Sequence, residues 1–393
     1  MACVFAGRLA HVLARVCWFA VSCDSVSDRR LLFDAHTGEP SAGASKNRLS
    51  EGDWCEQTFF QPGCVANQNA LIKVLRFDSA MRFSHRFLTA SIALIATAAS
   101  LRSAAGARAF VIVDSQTGYL LEEQEPRKKL QIGSLTKIAT ASVVLDWAER
   151  KGGDLNQTIT IPPEAFVGTL ENNVGFQPGD SITMRDLLYA ALVQSDNIAA
   201  YTLAQHVGSH LPTEVGSKMT PVDAFVTQMN ALAKQLKMER TRFVNPHGID
   251  NNARPMPFST AEDMARLTRY AMNKASFRFY VSQKERQISF DRGGHRLNYV
   301  LRSTNELLGR NGTDGVKTGR TTRAGDCLIL SANREPEVVT QGKAITVYPR
   351  HLIVVLLGST NRFDEGAGLV ARGWQLFDQW AASGRLADPK KLL

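Results

Sequence analysis

The side chains that could do chemistry begin with Ser134-Leu-Thr-Lys137. On a helix, residues three apart lie one above the other on the same face, so the hydroxyl and the amine meet. A serine hydroxyl is a weak nucleophile until a base removes its proton. Lysine can be that base if burial or a neighbouring cation lowers its pKa. The spacing therefore predicts Ser134 as a nucleophile at a helix start, with Lys137 as its base.

A second motif, Ser195-Asp-Asn197, follows an apolar helical stretch. Ser195 could relay a proton between Lys137 and a leaving group. Asn197 has an amide that could hold Lys137 and accept a substrate N–H. Taken alone, this motif is more typical of a polar helix break in which Asp and Asn serve as caps.

The third motif is Lys317-Thr-Gly319, which reads as part of a strand. Alternation places Lys317 and Gly319 on one face and Thr318 on the other. Glycine there would let a substrate backbone lie against the strand. Lys317 would supply positive charge for a carboxylate and would lower the pKa of Lys137. The alternative for this motif alone is a solvated lysine on an edge strand.

The elements that must position these motifs follow from hydrophobic periodicity. Helices are predicted at 134–150, around 184–192, at 221–236, at 259–272 with Ser259 and Glu262 as a capping box, and at 363–382. Strands are predicted at 109–114, 119–122, 316–319, 327–332 and 351–357. Strands at both ends and helices in the middle predict an α+β fold. An antiparallel sheet built from both ends of the domain is flanked by helices, with a mainly helical lobe inserted.

Composition excludes several classes of protein. The chain has 393 residues, is 44% hydrophobic and 21% charged, and is therefore not a disordered chain. A net charge of +9 spread over this length does not indicate a nucleic-acid partner. Five of the six cysteines lie in the first 64 residues, with no C-x-x-C spacing that would predict a zinc ribbon.

The first hundred residues read differently from the rest. Two arginines after Met81 precede a 13-residue apolar run, 87–99, and small residues that fit an A-x-A cleavage pattern follow. This order is typical of a secretory signal, with an internal apolar helix as the alternative. We expect the following organisation: a poorly structured extension at 1–80, upstream of a working start at Met81; a signal peptide at 81–108; an enzyme domain at 109–383; and a short tail at 384–393.

The three motifs together, in this order, form the signature set of penicillin-interacting serine enzymes. From about Ala109 to Phe377 the chain resembles the low-molecular-mass penicillin-binding proteins, which are serine-type D-alanyl-D-alanine carboxypeptidases. Other segments that resemble the family lie at 182–188, 225–230, 243–248, 259–264 and 303–308. The resemblance implies the transpeptidase-like fold of the serine β-lactamase superfamily, peptidoglycan stem peptides as substrates and β-lactams as covalent inhibitors.

The resemblance also implies a role for each site residue. Ser134 attacks the carbonyl between the last two D-alanines, Lys137 is the base, and Ser195 passes the proton to the departing D-alanine. Backbone N–H groups of Ser134 and Arg320 form the oxyanion hole. No metal or other cofactor is needed, and we interpret His247 as structural. The substrate-binding residues implied are Asn197, Lys317, Thr318, Gly319, Arg320 and Arg362.

Three other functions stay open at this point. Short members of the family include D,D-endopeptidases, which cut peptide cross-links. Asp196 is typical of class A β-lactamases, but no E-x-x-L-N segment lies between Asn197 and Lys317 to place their deacylating Glu. A non-catalytic penicillin sensor is the third alternative. The signal predicts a periplasmic or secreted protein. The apolar stripe of the last helix favours packing on the sheet over a membrane anchor.

Overall fold

The computed structural model describes residues 106–393, except 169–170, 213–215, 217, 252 and 343. The predicted extension at 1–80 lies outside the described residues, and so does the predicted signal apart from its last three positions. No helix in the described part of the chain is long and apolar enough to cross a membrane.

Nine strands and seven α-helices form the described part of the chain. The strands are β1 Ala109–Asp114, β2 Leu120–Gln124, β3 Thr158–Thr160, β4 Ser181–Thr183, β5 Glu285–Arg292, β6 His295–Arg302, β7 Thr313–Thr321, β8 Gly325–Gln341 and β9 Ala344–Ser359. The helices are α1 Lys137–Lys151, α2 Met184–Val193, α3 Asn197–Ser209, α4 Pro221–Gln235, α5 Ala261–Met272, α6 Ala275–Val281 and α7 Arg362–Ala382.

The larger sheet is antiparallel and has the order β2-β1-β9-β8-β7. It joins strands from both ends of the domain, as the sequence predicts. Strand β1 is buried at every position. Val111 and Val113 pack into the core on one face of the sheet, and Phe110 and Ile112 pack on the other. An apolar run without alternation is the expected pattern for a strand that is covered on both faces.

Helix α7 covers one face of this sheet. Trp374 and Phe377 are buried against the face that includes Ile112, and Trp380 packs beside them. The apolar stripe of the last helix is therefore core, as the sequence favours. The other face packs against α5, and the helices α1 to α4 continue that core away from the sheet.

A second, four-stranded sheet with the order β3-β4-β5-β6 is absent from the sequence prediction. Its strands bury few side chains: in β5 only Ile288 and Phe290 are buried, and in β6 only Leu301. A half-exposed strand with so few apolar positions gives a weak periodic signal. The outer ends of β8 and β9 are also exposed and have few buried apolar positions, so the predicted strands stop short of them.

Two predicted helix starts differ from the structure. Ser134 lies in a 3₁₀ turn, Gly133–Thr136, and the α-helix begins at Lys137. Helix α5 is capped by Thr260, whose Oγ1 accepts a hydrogen bond from the Asp263 N–H at 3.0 Å. The predicted cap, Ser259, instead forms a hydrogen bond with Thr241.

Candidate active site

Lys137 is the centre of the site. It is the first residue of α1 and its side chain is fully buried. Its Nζ lies 3.0 Å from Ser134 Oγ, 2.7 Å from Asn197 Oδ1 and 3.1 Å from the carbonyl oxygen of His247. The structure thus joins the first two motifs by hydrogen bonds around one amine.

Burial lowers the pKa of Lys137 from 10.5 to about 7, although the carboxylates of Asp196 and Glu171 act in the opposite direction. An uncharged amine has two N–H donors and one lone pair. Both Asn197 Oδ1 and the His247 carbonyl can only accept, so they take the two N–H groups. The lone pair is then left for Ser134, whose hydroxyl can donate to it. The neutral amine is therefore placed to accept the Ser134 proton.

The Ser195-Asp-Asn197 motif connects α2 to α3. Ser195 has a φ of +65°, and Asp196 caps α3 by accepting a hydrogen bond from the Ala199 N–H at 2.8 Å. Among the described residues, the hydrogen bonds of Lys137 Nζ go to Ser134, Asn197 and His247 and do not include the Ser195 hydroxyl. Asn197 Nδ2 is buried and has no hydrogen-bond partner among the described residues. Because Oδ1 is engaged by Lys137, the atom of Asn197 left without a partner is the Nδ2 donor, whereas Oδ1 keeps a second lone pair for the substrate N–H that we expected it to accept.

Lys317 and Thr318 are buried on β7. Lys317 Nζ donates to the Thr318 carbonyl at 3.0 Å, and the Thr318 hydroxyl bonds to Thr304 at 2.7 Å. Burial is the largest cause that holds the pKa of Lys317 well below 10.5, followed by the charges of Lys137 and Arg362. For Lys137 as well, burial is the main cause of the lowered pKa, where we expected the charge of Lys317 to act.

Two glycines let the nucleophile turn approach β7. A Cβ at Gly319 would lie 2.6 Å from the Ile132 carbonyl oxygen. Gly133 has a φ of +53°, and a Cβ there would lie 3.0 Å from the backbone nitrogen of Arg320. The backbone around Ser134 and that around Arg320 therefore abut, as the predicted pair of oxyanion donors requires.

Arg320 and Arg362 share one acidic partner that we did not predict from the sequence. Asp326 on β8 binds the Arg320 guanidinium through both carboxylate oxygens, and Arg362 lies 3.5 Å from the same carboxylate. Arg362 also donates to the Gly319 carbonyl at 3.2 Å. Arg320 leaves 69% of its side chain exposed. Asp326 lies outside the three motifs, and only the β7–β8 pairing, Arg320 to Asp326, brings it to the site.

His247 contributes its backbone to the site. Burial and the nearby Lys137 lower its pKa to about 3, so the imidazole is neutral at physiological pH. Its Nδ1 accepts the Ile249 N–H at 3.2 Å, which fits the structural role we inferred for the ring. Its carbonyl, in contrast, binds Lys137, and no side-chain pattern could reveal that contact. The described residues contain no group of three or more His, Cys, Asp or Glu side chains that could hold a metal ion.

Comparison with known proteins identifies relatives that are named D-alanyl-D-alanine carboxypeptidases or endopeptidases. The profile of the D-alanyl-D-alanine carboxypeptidase family matches residues 95–341. D-alanyl-D-alanine carboxypeptidase DacC of Escherichia coli K12 is 32% identical over 74% of this chain and 67% of its own length. A D-alanyl-D-alanine endopeptidase of Pseudomonas aeruginosa is 33% identical over 58% of this chain and 67% of its own length.

Solved structures show the same fold. The crystal structure of the Streptomyces K15 DD-transpeptidase has a TM-score of 0.59 and 27% identity, covering 69% of this chain and 98% of that one. Penicillin-binding protein D2 from Listeria monocytogenes, in its cefotaxime-bound form, has a TM-score of 0.53 and 25% identity over the same shares. With a family profile that spans more than half of its length, the chain belongs to the D-alanyl-D-alanine carboxypeptidase family of serine peptidases.

Proposed function

We propose that this protein removes the terminal D-alanine from peptidoglycan stem peptides through an acyl-enzyme on Ser134. The observation that carries the proposal is the contact of Ser134 Oγ with a buried Lys137 whose other two hydrogen-bond partners can only accept. In the first step the Ser134 oxygen attacks the carbonyl carbon of the last peptide bond while its proton moves to Lys137 Nζ.

Backbone N–H groups of Ser134 and Arg320 receive the negative charge that develops on the substrate carbonyl oxygen. The close approach at Gly133 and Gly319 supports this pairing. Removal of one such donor typically costs about a hundredfold to a thousandfold in rate. Asn197 Nδ2, which is buried without a partner in the described structure, is suited to donate to a carbonyl of the acyl-donor peptide.

Release of D-alanine requires a proton at its new amine. Ser195, two residues before Asn197 in the same motif, is our candidate to pass that proton from Lys137 to the leaving nitrogen. Lys317, Thr318, Arg320 and Arg362 are proposed to hold the terminal carboxylate, with Asp326 orienting the two arginines. Water then attacks the ester, and Ser134 recovers its proton.

β-Lactams are expected to acylate the same serine. The cefotaxime-bound Listeria protein shares this fold and supports that expectation. On the signal predicted at 81–108 and the enzyme domain predicted at 109–383, we propose that the protein works in the bacterial cell envelope, where its substrate is found.

Endopeptidase activity is the second candidate, since a relative of comparable identity is named a D-alanyl-D-alanine endopeptidase. Mass spectrometry distinguishes the carboxypeptidase from the endopeptidase activity after the protein is incubated with a pentapeptide fragment and with a cross-linked dimer. Loss of one alanine from the pentapeptide supports the carboxypeptidase, and cleavage of the dimer into monomers supports the endopeptidase. No turnover of either fragment, with tight binding, would support a sensor and overturn both.

A further inference from the structure

Ser195 has a backbone conformation that its neighbours must maintain. Its φ of +65° lies in the left-handed region, which is uncommon for a residue other than glycine. It directly follows Gln194, the last residue of the α2 cap, and the N–H of Asp196 donates to the Ala190 carbonyl at 3.0 Å. Such a conformation persists only where the surrounding structure holds it. The contacts of the residues beside Ser195 therefore determine where its hydroxyl lies.

The side chain of Gln194 uses both of its donors and its acceptor oxygen. Nε2 donates to the Tyr299 hydroxyl at 2.7 Å and to the Asn173 carbonyl at 2.9 Å. Oε1 accepts the N–H of Arg302 at 3.1 Å. One amide group thus joins the residue before Ser195 to strand β6 and to the segment 172–176.

Further hydrogen bonds close this network. The Tyr299 hydroxyl donates to the same Asn173 carbonyl at 3.1 Å, and Asn173 Nδ2 donates to the main-chain carbonyl of Gln194 at 3.3 Å. The Val193 carbonyl accepts the N–H of Thr304 at 3.1 Å. Three segments that are distant in the sequence therefore meet at the end of α2, and the Gln194 amide is the group that contacts two of them at once.

The other half of the motif is held by different contacts. Asp196 caps α3, and Asn197 Oδ1 binds Lys137. Among the described residues, the hydrogen bonds of Gln194 do not include Ser134 or Lys137. Loss of the Gln194 amide therefore leaves the nucleophile and its base with their own contacts and acts on the residue between the two halves of the motif.

We propose that Gln194 is a positioning residue: by fastening the chain before Ser195 to β6 and to segment 172–176, it holds the Ser195 hydroxyl where it protonates the departing D-alanine. The inference rests on the proposed peptidase function. In that step the bond between the acyl carbon and the D-alanine nitrogen breaks, the nitrogen takes the proton of Ser195 Oγ, and Lys137 returns a proton to that oxygen. A shift of about 1 Å in a reacting group can lower the rate about a hundredfold.

The test compares two substrates that have the same acyl part and end in D-alanine, joined through an amide, or in a mercapto acid, joined through a thioester. An amine leaves only with a proton, whereas a thiolate leaves without one, so only the amide needs the proton of Ser195. Gln194→Met removes the donors and the acceptor from a side chain of similar length. Its kcat/KM should fall about a hundredfold for the amide and less than about threefold for the thioester.

Three other variants accompany Gln194→Met. Ser195→Ala should show the same selective loss, at least as large. Tyr299→Phe removes one partner of the Gln194 amide and should show a smaller loss in the same direction; it carries the test if circular dichroism shows that Gln194→Met is unfolded. Gln283→Met removes an amide that donates to a backbone carbonyl at 2.9 Å just after α6, and it should leave both rates unchanged.

A merely structural role of Gln194 would lower the rates for the amide and the thioester by the same factor. Equal losses, or wild-type rates in folded Gln194→Met, would overturn this inference and leave the peptidase function standing. An amide rate that is unchanged in Ser195→Ala would remove the proton transfer on which the inference rests. No hydrolysis of the amide substrate by the wild type would overturn the proposed function and this inference with it.

Discussion

The rate at which a β-lactam acylates Ser134 should depend on pH through one group, the buried amine of Lys137. The pKa of this lysine falls from 10.5 to about 7. At about 1.36 kcal/mol for each pKa unit, the fold disfavours the protonated amine by about 5 kcal/mol. That cost is the reason a lysine can act as a base at physiological pH.

The magnitude follows from the neutral fraction of Lys137. With a pKa of about 7, roughly nine-tenths of the amine is neutral at pH 8, and roughly one-hundredth is neutral at pH 5. The second-order rate of acylation should therefore fall about ninetyfold between pH 8 and pH 5, with unit slope below pH 7. The assay follows incorporation of a fluorescent penicillin that has no group titrating in this range. Circular dichroism at each pH verifies that the protein stays folded.

Lys137→Arg is the companion variant, because a guanidinium keeps its proton throughout this range. It should acylate at least about a hundredfold more slowly than the wild type at pH 8, the lower range for loss of a general base. A rate that is flat from pH 5 to pH 8 in folded wild-type protein would show that the neutral amine of Lys137 is not the base. So would an arginine variant that acylates at the normal rate.

Three further predictions concern the surroundings of the site. In Gly319→Ala the new Cβ would lie 2.6 Å from a backbone carbonyl oxygen. This variant should lower the free energy of unfolding in urea by about 1–3 kcal/mol and should slow penicillin labelling. Wild-type values for both would show that the backbone before Ser134 lies farther from β7 than described. Asp326→Asn frees both site arginines and should raise KM for a pentapeptide about tenfold, since a hydrogen bond to a charged group contributes about 1.5–3 kcal/mol. Asp378→Asn, which also loses two arginine partners, is its control and should leave KM unchanged. Phe377→Ala leaves a cavity between α7 and the sheet and should lower the free energy of unfolding by about 3–5 kcal/mol. A loss below about 1 kcal/mol would contradict the packing of Phe377 described above.

The sequence was most informative where local chemistry and local structure coincide. The apolar strands at both ends, five of the seven α-helices and the three motifs were predicted, because each depends on residues close together in the chain. Helices α3 and α6 were not predicted. The family profile confirms the identification that the motifs supported.

Contacts made by the backbone, or by residues from a neighbouring strand, were not predictable. The His247 carbonyl binds Lys137 because the chain at 243–250 passes beside α1, and a carbonyl has no sequence signature. Asp326 reaches Arg320 only through the register of β7 and β8. The free Nδ2 of Asn197 depends on which side of its amide faces Lys137, and that orientation is a tertiary property.

Peptide mapping of the β-lactam adduct tests whether Ser134 is the nucleophile. The protein is incubated with a penicillin, digested, and analysed by tandem mass spectrometry. We expect a single penicilloyl ester on Ser134 that is absent from Ser134→Ala, while Ser142→Ala, which removes a hydroxyl from the adjacent helix α1, keeps it. An adduct on any other residue, or undiminished labelling of Ser134→Ala, would show that Ser134 is not the nucleophile.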